Sequence, residues 1–215
     1  RLTIGIFKTY FRQSGNCSDQ AAIRYVRKVC HNRICFTIKQ SDMDLTKELA
    51  RQAKKNGICK PWYNELKSLS DGDVCAMAQM YLKGIDFCLA HDYPDNDFIR
   101  AHFKGRMEQY GVFLDDDIKV ENKPKCVCLG ATCGRVEVTG FNVCEIYAKH
   151  NANLNVIARD NAFVVIDVFD DAVVNVCASD RAKVCVNHYV GGGRVIKCAT
   201  DDAVVKIIEK QKKTY

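Results

Sequence analysis

The hydrophobic residues of this chain change their spacing once, near residue 120. Before that point they recur at every third or fourth position in short runs, which is the spacing of amphipathic helices. From about Cys126 onward they occupy even-numbered positions over about seventy residues. Since neighbouring side chains of a strand point to opposite faces of its sheet, this alternation predicts strands whose even-numbered side chains are buried.

Residues 161–190 read NAFVVIDVFD DAVVNVCASD RAKVCVNHYV, which is one unit of ten residues repeated with small changes. Each unit holds Ala-x-Val-x-Val or a close variant, and Asp or Asn stands at the junctions, where these residues favour turns. Because ten is an even number, the same face stays buried however often the chain turns. Two units per coil would stack residues twenty apart, so we expect Asp160 to lie over Asp180 and Val164 over Val184.

Two architectures fit this pattern: a β-solenoid of stacked coils, and an antiparallel β-roll or sandwich. Small and branched side chains in regular layers favour the solenoid. The alternation places Ile196 and Cys198 among the buried residues and Asp167 on the outer face. The glycine cluster at 191–193 is expected to form a loop where the register slips by about one residue. The corner aspartates are predicted to form turns and not to bind calcium, since calcium-binding rolls use a nine-residue repeat with paired glycines.

Helical spacing dominates the first half of the chain. Ser18 precedes a predicted helix over residues 19–31, and the run Ile-Cys-Phe-Thr-Ile follows as a strand. A Ser-x-x-Asp capping pattern at Ser41 opens a helix that ends near Asn56, and shorter helical pieces continue to about residue 115. We therefore predict an α+β chain in four parts: a basic N-terminal segment (1–40), a small helical domain (41–118), a β-repeat domain (125–209) and a basic tail (210–215).

Several stretches carry a further signal: GICKPWYNELKSLS, IDFCLAHDYPDNDFIRAHF, GVFLDD and the later DNAFVVIDVFDDAVVNV. A chain with these stretches resembles a group of uncharacterised proteins encoded by gut Bacteroidales and by their phages or mobile elements. Proteins of that group pair a short helical region with a β-repeat tail. The resemblance covers roughly residues 45–210. It implies the same architecture and a phage or mobile-element context, and it implies no catalytic activity.

Positive charge is concentrated at the beginning of the chain. The net charge is +6, and residues 1–60 hold 13 Lys or Arg against 4 acidic residues. Cations at spacings of three and four residues line one side of each of two predicted helices, where they could contact phosphates. These residues are Arg24, Arg27 and Lys28 on the first helix and Lys47, Arg51, Lys54 and Lys55 on the second. A solvated charged face explains the same pattern, so nucleic-acid binding is an alternative function and not the main hypothesis.

The chain has 13 cysteines in an odd and scattered arrangement, which favours free thiols and a cytoplasmic protein. Cys126, Cys128, Cys133 and Cys144 are the weak candidates for a zinc site, but their spacing differs from that of common zinc knuckles. Three of them have even numbers, so we favour core packing and expect no metal or other cofactor. No hydrophobic run is long enough to span a membrane, and we expect no membrane partner.

No catalytic motif occurs along the chain, and its five histidines lack ligand-type or triad-type spacing. We therefore expect a non-enzymatic binding or assembly protein that presents its β-repeat surface to a protein partner or to a second copy of itself. The alternatives are a nucleic-acid-associated protein that uses the basic helices and an enzyme with a site at the domain junction. The lysine-rich tail is predicted to prevent strand addition at the last coil.

Overall fold

The computed structural model describes residues 44–191 and 193–215, and Asp44–Tyr215 is one compact unit. The first helix begins at Leu45, because the Asp44 carboxylate accepts from the backbone N–H of Lys47 at 3.0 Å. None of the helices in the described residues is long and apolar enough to cross a bilayer. The predicted helix over residues 19–31 lies outside the described residues. The helices are α1 (Leu45–Lys55), α2 (Lys60–Ser68), α3 (Val74–Lys83), α4 (Ile85–His91) and α5 (Asn96–His102), followed by a 3-10 turn at Glu108–Tyr110.

The rest of the described chain forms parallel strands that alternate between two sheets. The six-stranded sheet has the order β1-β3-β5-β7-β9-β11, and the five-stranded sheet has the order β10-β8-β6-β4-β2. This path is that of a two-sided β-solenoid, so the predicted fold class is confirmed and the antiparallel alternative is excluded. The strands are β1 (Val112–Leu114), β2 (Asp117–Glu121), β3 (Lys125–Leu129), β4 (Cys133–Val138), β5 (Val143–Ala148), β6 (Asn153–Ala158), β7 (Phe163–Val168), β8 (Val173–Ala178), β9 (Lys183–Tyr189), β10 (Arg194–Ala199) and β11 (Val204–Lys210).

The central coils repeat every twenty residues. Val164 pairs with Val184 as predicted, and in the other sheet Val136, Val156 and Val176 lie in register. Such inward-facing residues of successive coils form lines that we call inner columns, and their side chains make up the buried core of the solenoid. The first coil is shorter and begins at Val112, which is earlier than the start of the repeat near residue 125 in the sequence.

In the last coil the inward-facing residues have odd numbers instead of even ones. Val195 pairs with Val174 and Lys197 with Val176, a step of 21 residues, so the expectation that Ile196 and Cys198 point inward is wrong. The extra residue is taken up in the glycine loop. There Gly193 has a φ of 73°, and a Cβ on it would lie 2.8 Å from the Ala172 carbonyl oxygen.

Aspartates at the solenoid corners adopt the left-handed conformation. Asp160, Asp180 and Asp201 stand at one corner, one per coil, with φ values of 59°, 59° and 57°. Each carboxylate accepts a hydrogen bond from a backbone N–H one coil earlier: Gly140 to Asp160 at 2.7 Å, Asp160 to Asp180 at 3.1 Å, and Asp180 to Asp201 at 3.3 Å. The turn-forming role is confirmed, and each of these side chains also ties two coils together.

The helices cover part of the outer face of the six-stranded sheet. A second hydrophobic core joins helical residues such as Leu89 and Ile99 to outward-facing side chains of the strands. From β3 onward these side chains have odd numbers, so the rule that odd positions face solvent fails beneath the helices. They are Val127, Leu129, Tyr147, Phe169 and Tyr189. Asp167 lies on the same face and is only 7% exposed, which corrects its predicted solvent-facing position.

Candidate binding surface

The cations predicted to line α1 are mostly engaged within the helical region. Lys47 forms an ion pair with Asp44, and Arg51 pairs with Glu48 at 2.6 Å and helps to lower the pKa of that carboxyl to about 2. Lys54 Nζ lies 5.9 Å from the ring centroid of Tyr63, and Lys55 is exposed. Two of the four α1 cations are therefore paired with neighbouring carboxylates. The other candidates, Arg24, Arg27 and Lys28, lie outside the described residues.

The four candidate zinc ligands do not converge on one point. Cys126, Cys128 and Cys144 are fully buried in the solenoid core, whereas Cys133 is exposed at the start of β4. Burial raises the pKa of the Cys128 thiol, which therefore stays protonated among its apolar neighbours. Within residues 44–191 and 193–215, no three His, Cys, Asp or Glu side chains are grouped so that they could hold a metal ion.

A charged cluster lies where the helices meet the solenoid. Lys149 is 5% exposed, and its Nζ donates to the Leu89 carbonyl and to the Asp92 carboxylate, each at 2.6 Å. His150 Nε2 lies 3.1 Å from the same Asp92 oxygen, and the backbone N–H of Gly130 donates to His150 Nδ1 at 3.2 Å. Because a backbone N–H can only donate, Nδ1 is the acceptor and Nε2 carries the proton toward Asp92.

This cluster is built as a structural tie between α4 and a solenoid corner. The hydrogen bond from His150 and the nearby Lys149 ammonium lower the pKa of Asp92 to about 2. Lys149 and His150 are both bonded to Asp92, and Lys149 is bonded to the Leu89 carbonyl as well. Sequence reasoning missed the cluster because Asp92 and His150 are 58 residues apart and no local motif links them.

The end of the chain returns to the outer face of the six-stranded sheet. The carbonyl of Lys212 accepts from the backbone N–H of Val190 at 3.0 Å, and the Tyr215 hydroxyl donates to Asp167. The Tyr215 ring also packs against Phe169 and Tyr189, with ring centroids 5.4 and 5.6 Å apart. The tail thus extends the cover over this face, which its lysine-rich sequence did not indicate.

An apolar patch remains exposed on the same sheet, at the N-terminal ends of β5 and β7. Phe141 is 85% exposed, Val143 55% and Phe163 42%. Val143 and Phe163 are in register on neighbouring strands, Phe141 stands on the turn before β5, and the half-buried Val165 follows Phe163 on the same face. We call these four residues the apolar patch. They have odd numbers, so the apolar residues at odd positions were the available signal for both the patch and the helix-covered surface.

Charged side chains border the apolar patch. Lys183 is in register with Phe163 on the next strand, and Glu145 is in register with Val165. Glu145 forms an ion pair with Lys125 at 2.8 Å, and hydrogen bonding to Lys125 lowers the pKa of the Glu145 carboxyl. An apolar centre with a polar border is the usual anatomy of a protein interface.

Comparison with known proteins gives no further assignment. No protein-family model, no curated protein and no solved structure matches the chain. A functional assignment therefore rests on the chemistry of the surfaces and cavities of the molecule itself.

Proposed function

We propose that the protein is a non-enzymatic assembly protein, in which the β-solenoid pairs with a second copy of the chain through the apolar patch. The observation that carries this proposal is the exposure of Phe141, Val143 and Phe163 side by side. Single exposed apolar residues are common on protein surfaces, but adjacent aromatic and aliphatic ones mark association sites. Phe141 belongs to neither hydrophobic core of the described residues and is 85% exposed.

The regular spacing of the patch favours a second copy as the partner. Neighbouring strands place their side chains ~4.8 Å apart, and two sheet faces of equal spacing interlock when they pack ~10 Å from each other. A two-fold axis through the patch would put Phe141 and Phe163 of one copy against the same residues of the other. Such a contact closes on itself and gives a dimer.

The end of the solenoid supports a closed pair over a filament. The inner column of Val136, Val156 and Val176 ends in Lys197, whose Nζ donates to the Val205 carbonyl at 3.2 Å. A cation at this place makes the open end a poor template for another coil, because stacking would bury the charge. Association is therefore directed to the side of the solenoid.

Sedimentation velocity over a concentration series tests this function. The wild-type chain is expected to sediment as a dimer that dissociates on dilution, and the double variant Val143→Ser, Phe163→Ser is expected to remain a monomer. Val190→Ser is the matched control, since Val190 is 47% exposed but lies outside the patch. A monomeric wild type at every concentration, or a double variant that still dimerises, contradicts the proposal.

The alternative functions rest on weaker support. A nucleic-acid-associated role depends on Arg24, Arg27 and Lys28, since most α1 cations already have acidic or aromatic neighbours. An enzymatic role would need reactive groups at the junction, where Lys149 and His150 are instead bonded to Asp92. A phage or mobile-element context and a cytoplasmic location are proposals that rest on the sequence.

A further inference from the structure

The helical region contains an apolar cavity of about 480 Å³. It lies among α2, α3 and α4, and the buried side chains of Leu66, Met77 and Met107 line its inner part. Half-exposed Trp62 and Met80 line the part nearer to solvent. No residue of the apolar patch lines this cavity, so it is a separate feature of the molecule.

A cavity of this size needs an explanation, because protein interiors are close-packed and contain few voids larger than a water molecule. An apolar cavity of ~150 Å³ already takes up benzene or xenon, and ligand pockets commonly measure ~300 to 1,000 Å³. The cavity of about 480 Å³ falls within the second range. From its volume and lining we propose that it binds an uncharged, predominantly apolar small molecule, aromatic or aliphatic.

Two polar groups of the walls, at Tyr93 and Cys88, are bonded or neutral. The Tyr93 hydroxyl donates to the Leu49 carbonyl at 2.9 Å, and burial keeps the thiol of Cys88 protonated by raising its pKa. In the described residues, the buried side-chain atoms without a hydrogen-bond partner are Arg135 Nε and Thr214 Oγ1, neither of which belongs to a lining residue. Most of the lining residues are apolar, so burying a charged or strongly polar group of a ligand there would be unfavourable.

Charged side chains at the cavity are restricted to its solvent side. Lys83 is exposed, forms an ion pair with Glu65 at 3.4 Å, and places its Nζ 5.2 Å from the ring centroid of Trp62. Asp86 is exposed as well. These groups keep the opening hydrated and leave the interior to the apolar part of the ligand.

The walls can adapt to more than one ligand shape. Three of the four methionines of the chain, Met77, Met80 and Met107, line the cavity. Methionine is unbranched and polarisable, and it is common where a protein surface accepts several apolar partners. The cavity is thus suited to a class of apolar molecules, within the limit set by its volume.

Fluorescence provides a direct test, because Trp62 is the single tryptophan of the chain and lines the cavity. The full chain is titrated with N-phenyl-1-naphthylamine, an uncharged aromatic probe that emits strongly in apolar surroundings. The expected result is saturable binding of one probe per chain, with quenching of the Trp62 emission as the probe emission rises.

Two variants assign the bound probe to the cavity. Ala78→Phe fills the cavity from α3, and Met80→Glu places a carboxylate at its half-exposed edge, so each is expected to weaken probe binding at least tenfold. Gln79→Glu is the matched control, since it introduces the same charge at the neighbouring, exposed position that does not line the cavity. It is expected to bind the probe as the wild type does.

The following outcomes would overturn the site. One is a wild-type chain that binds no probe, and another is unchanged binding by Met80→Glu with a native circular-dichroism spectrum. Loss of the probe in Val143→Ser, Phe163→Ser, with Met80→Glu unaffected, would place it on the apolar patch instead. If Ala78→Phe does not fold, the pair Met80→Glu and Gln79→Glu decides the question. Failure of dimerisation would leave this site untouched, because no patch residue lines the cavity.

Discussion

The carboxylate of Asp167 joins distant parts of the chain. It accepts a hydrogen bond from Asn187 Nδ2 at 2.6 Å on the next strand of the sheet and another from the Tyr215 hydroxyl near the end of the chain. Burial, together with the nearby Asp167, raises the pKa of Tyr215, so the phenol stays a protonated donor at neutral pH. A buried carboxylate with two donors of this kind is stabilising as long as both bonds are made.

Replacing this carboxylate is expected to destabilise the protein. We predict that Asp167→Asn lowers the free energy of unfolding by about 1 to 3 kcal/mol, because an amide offers its NH2 group to one of the two donors and leaves that donor unpaired. Urea denaturation measures the change. Asp171→Asn, the same substitution at an exposed position, is the control and should stay within about 0.5 kcal/mol of wild type. Equal stability of both variants would show that the Asp167 bonds contribute nothing.

At the scale of the element, strand β6 shows how the two faces of one strand contribute to the stability of the repeat. Val156 is fully buried in an inner column, and its neighbour Asn155 is exposed and accepts from Asn175 Nδ2 at 3.1 Å on the next coil. The core side is held by apolar packing, and the outer side by a side-chain hydrogen bond between neighbouring coils. The two faces of one strand therefore respond differently to charge.

We predict that Val156→Asp lowers the free energy of unfolding by about 3 kcal/mol or more, because it buries an unpaired carboxylate between two coils. Asn155→Asp keeps an acceptor for Asn175 and should change stability by no more than about 0.5 kcal/mol. Thermal and urea denaturation of both variants provide the comparison. Similar losses in the two would mean that the inward and outward faces have been assigned incorrectly.

The sequence predicted an element correctly where its residue pattern allows only one face of the element to be buried. An even repeat with Ala, Val and Ile at one parity leaves the strands no other face to bury, so the coil of twenty residues and the pair Val164 and Val184 followed directly. The slip of about one residue at the glycine cluster was also predicted, but the even-number rule was carried past it, so Ile196 and Cys198 were wrongly placed inward. The N-cap of α1 is Asp44 and not the predicted Ser41. Asp and Ser are both good capping residues, so the sequence pattern alone does not distinguish them.

At the scale of the whole described unit, residues 44–215 form a solenoid with helices packed along part of one face and with charged side chains on its last coil. The column of Ala148, Val168 and His188 ends in Glu209, and His188 Nδ1 lies 2.9 Å from the Glu209 carboxylate. Together with Lys197 this places charged groups on the last coil, where another coil would otherwise stack. These charged groups belong to the coil itself, and a blocking role for the tail lysines stays a prediction.

Removing the inward charge should open the end of the solenoid to association. We predict that Lys197→Val raises the weight-average mass in light scattering above that of the wild type, because it completes an apolar column that another copy can cover. Lys206→Val, an outward-facing change on the same coil, is the control and should leave the mass unchanged. An unchanged mass for Lys197→Val would show that the column end does not limit assembly.

Features that depend on the relative placement of elements were beyond the sequence. Tyr147, Phe169 and Phe163 all occupy odd positions, yet the helices and the tail cover the first two and leave Phe163 exposed. The cavity likewise depends on the angles at which short helices cross, which helical periodicity does not encode. Apolar side chains at odd positions did indicate that some outer surface must be covered.

The hydrogen bonds at the Asp corners have a consequence for how such a chain can change in length. Asp160 and Asp180 occupy equivalent places, so a segment of twenty residues presents the same donors and acceptors to the coil before it and the coil after it. If one such segment is gained or lost, every inner column stays aligned. A segment of nineteen or twenty-one residues would shift the register by one residue, as happens at the glycine loop before the last coil. Each step alters the length of the rod by ~4.8 Å. The length of the solenoid can therefore change in steps of one whole coil without any change in its register.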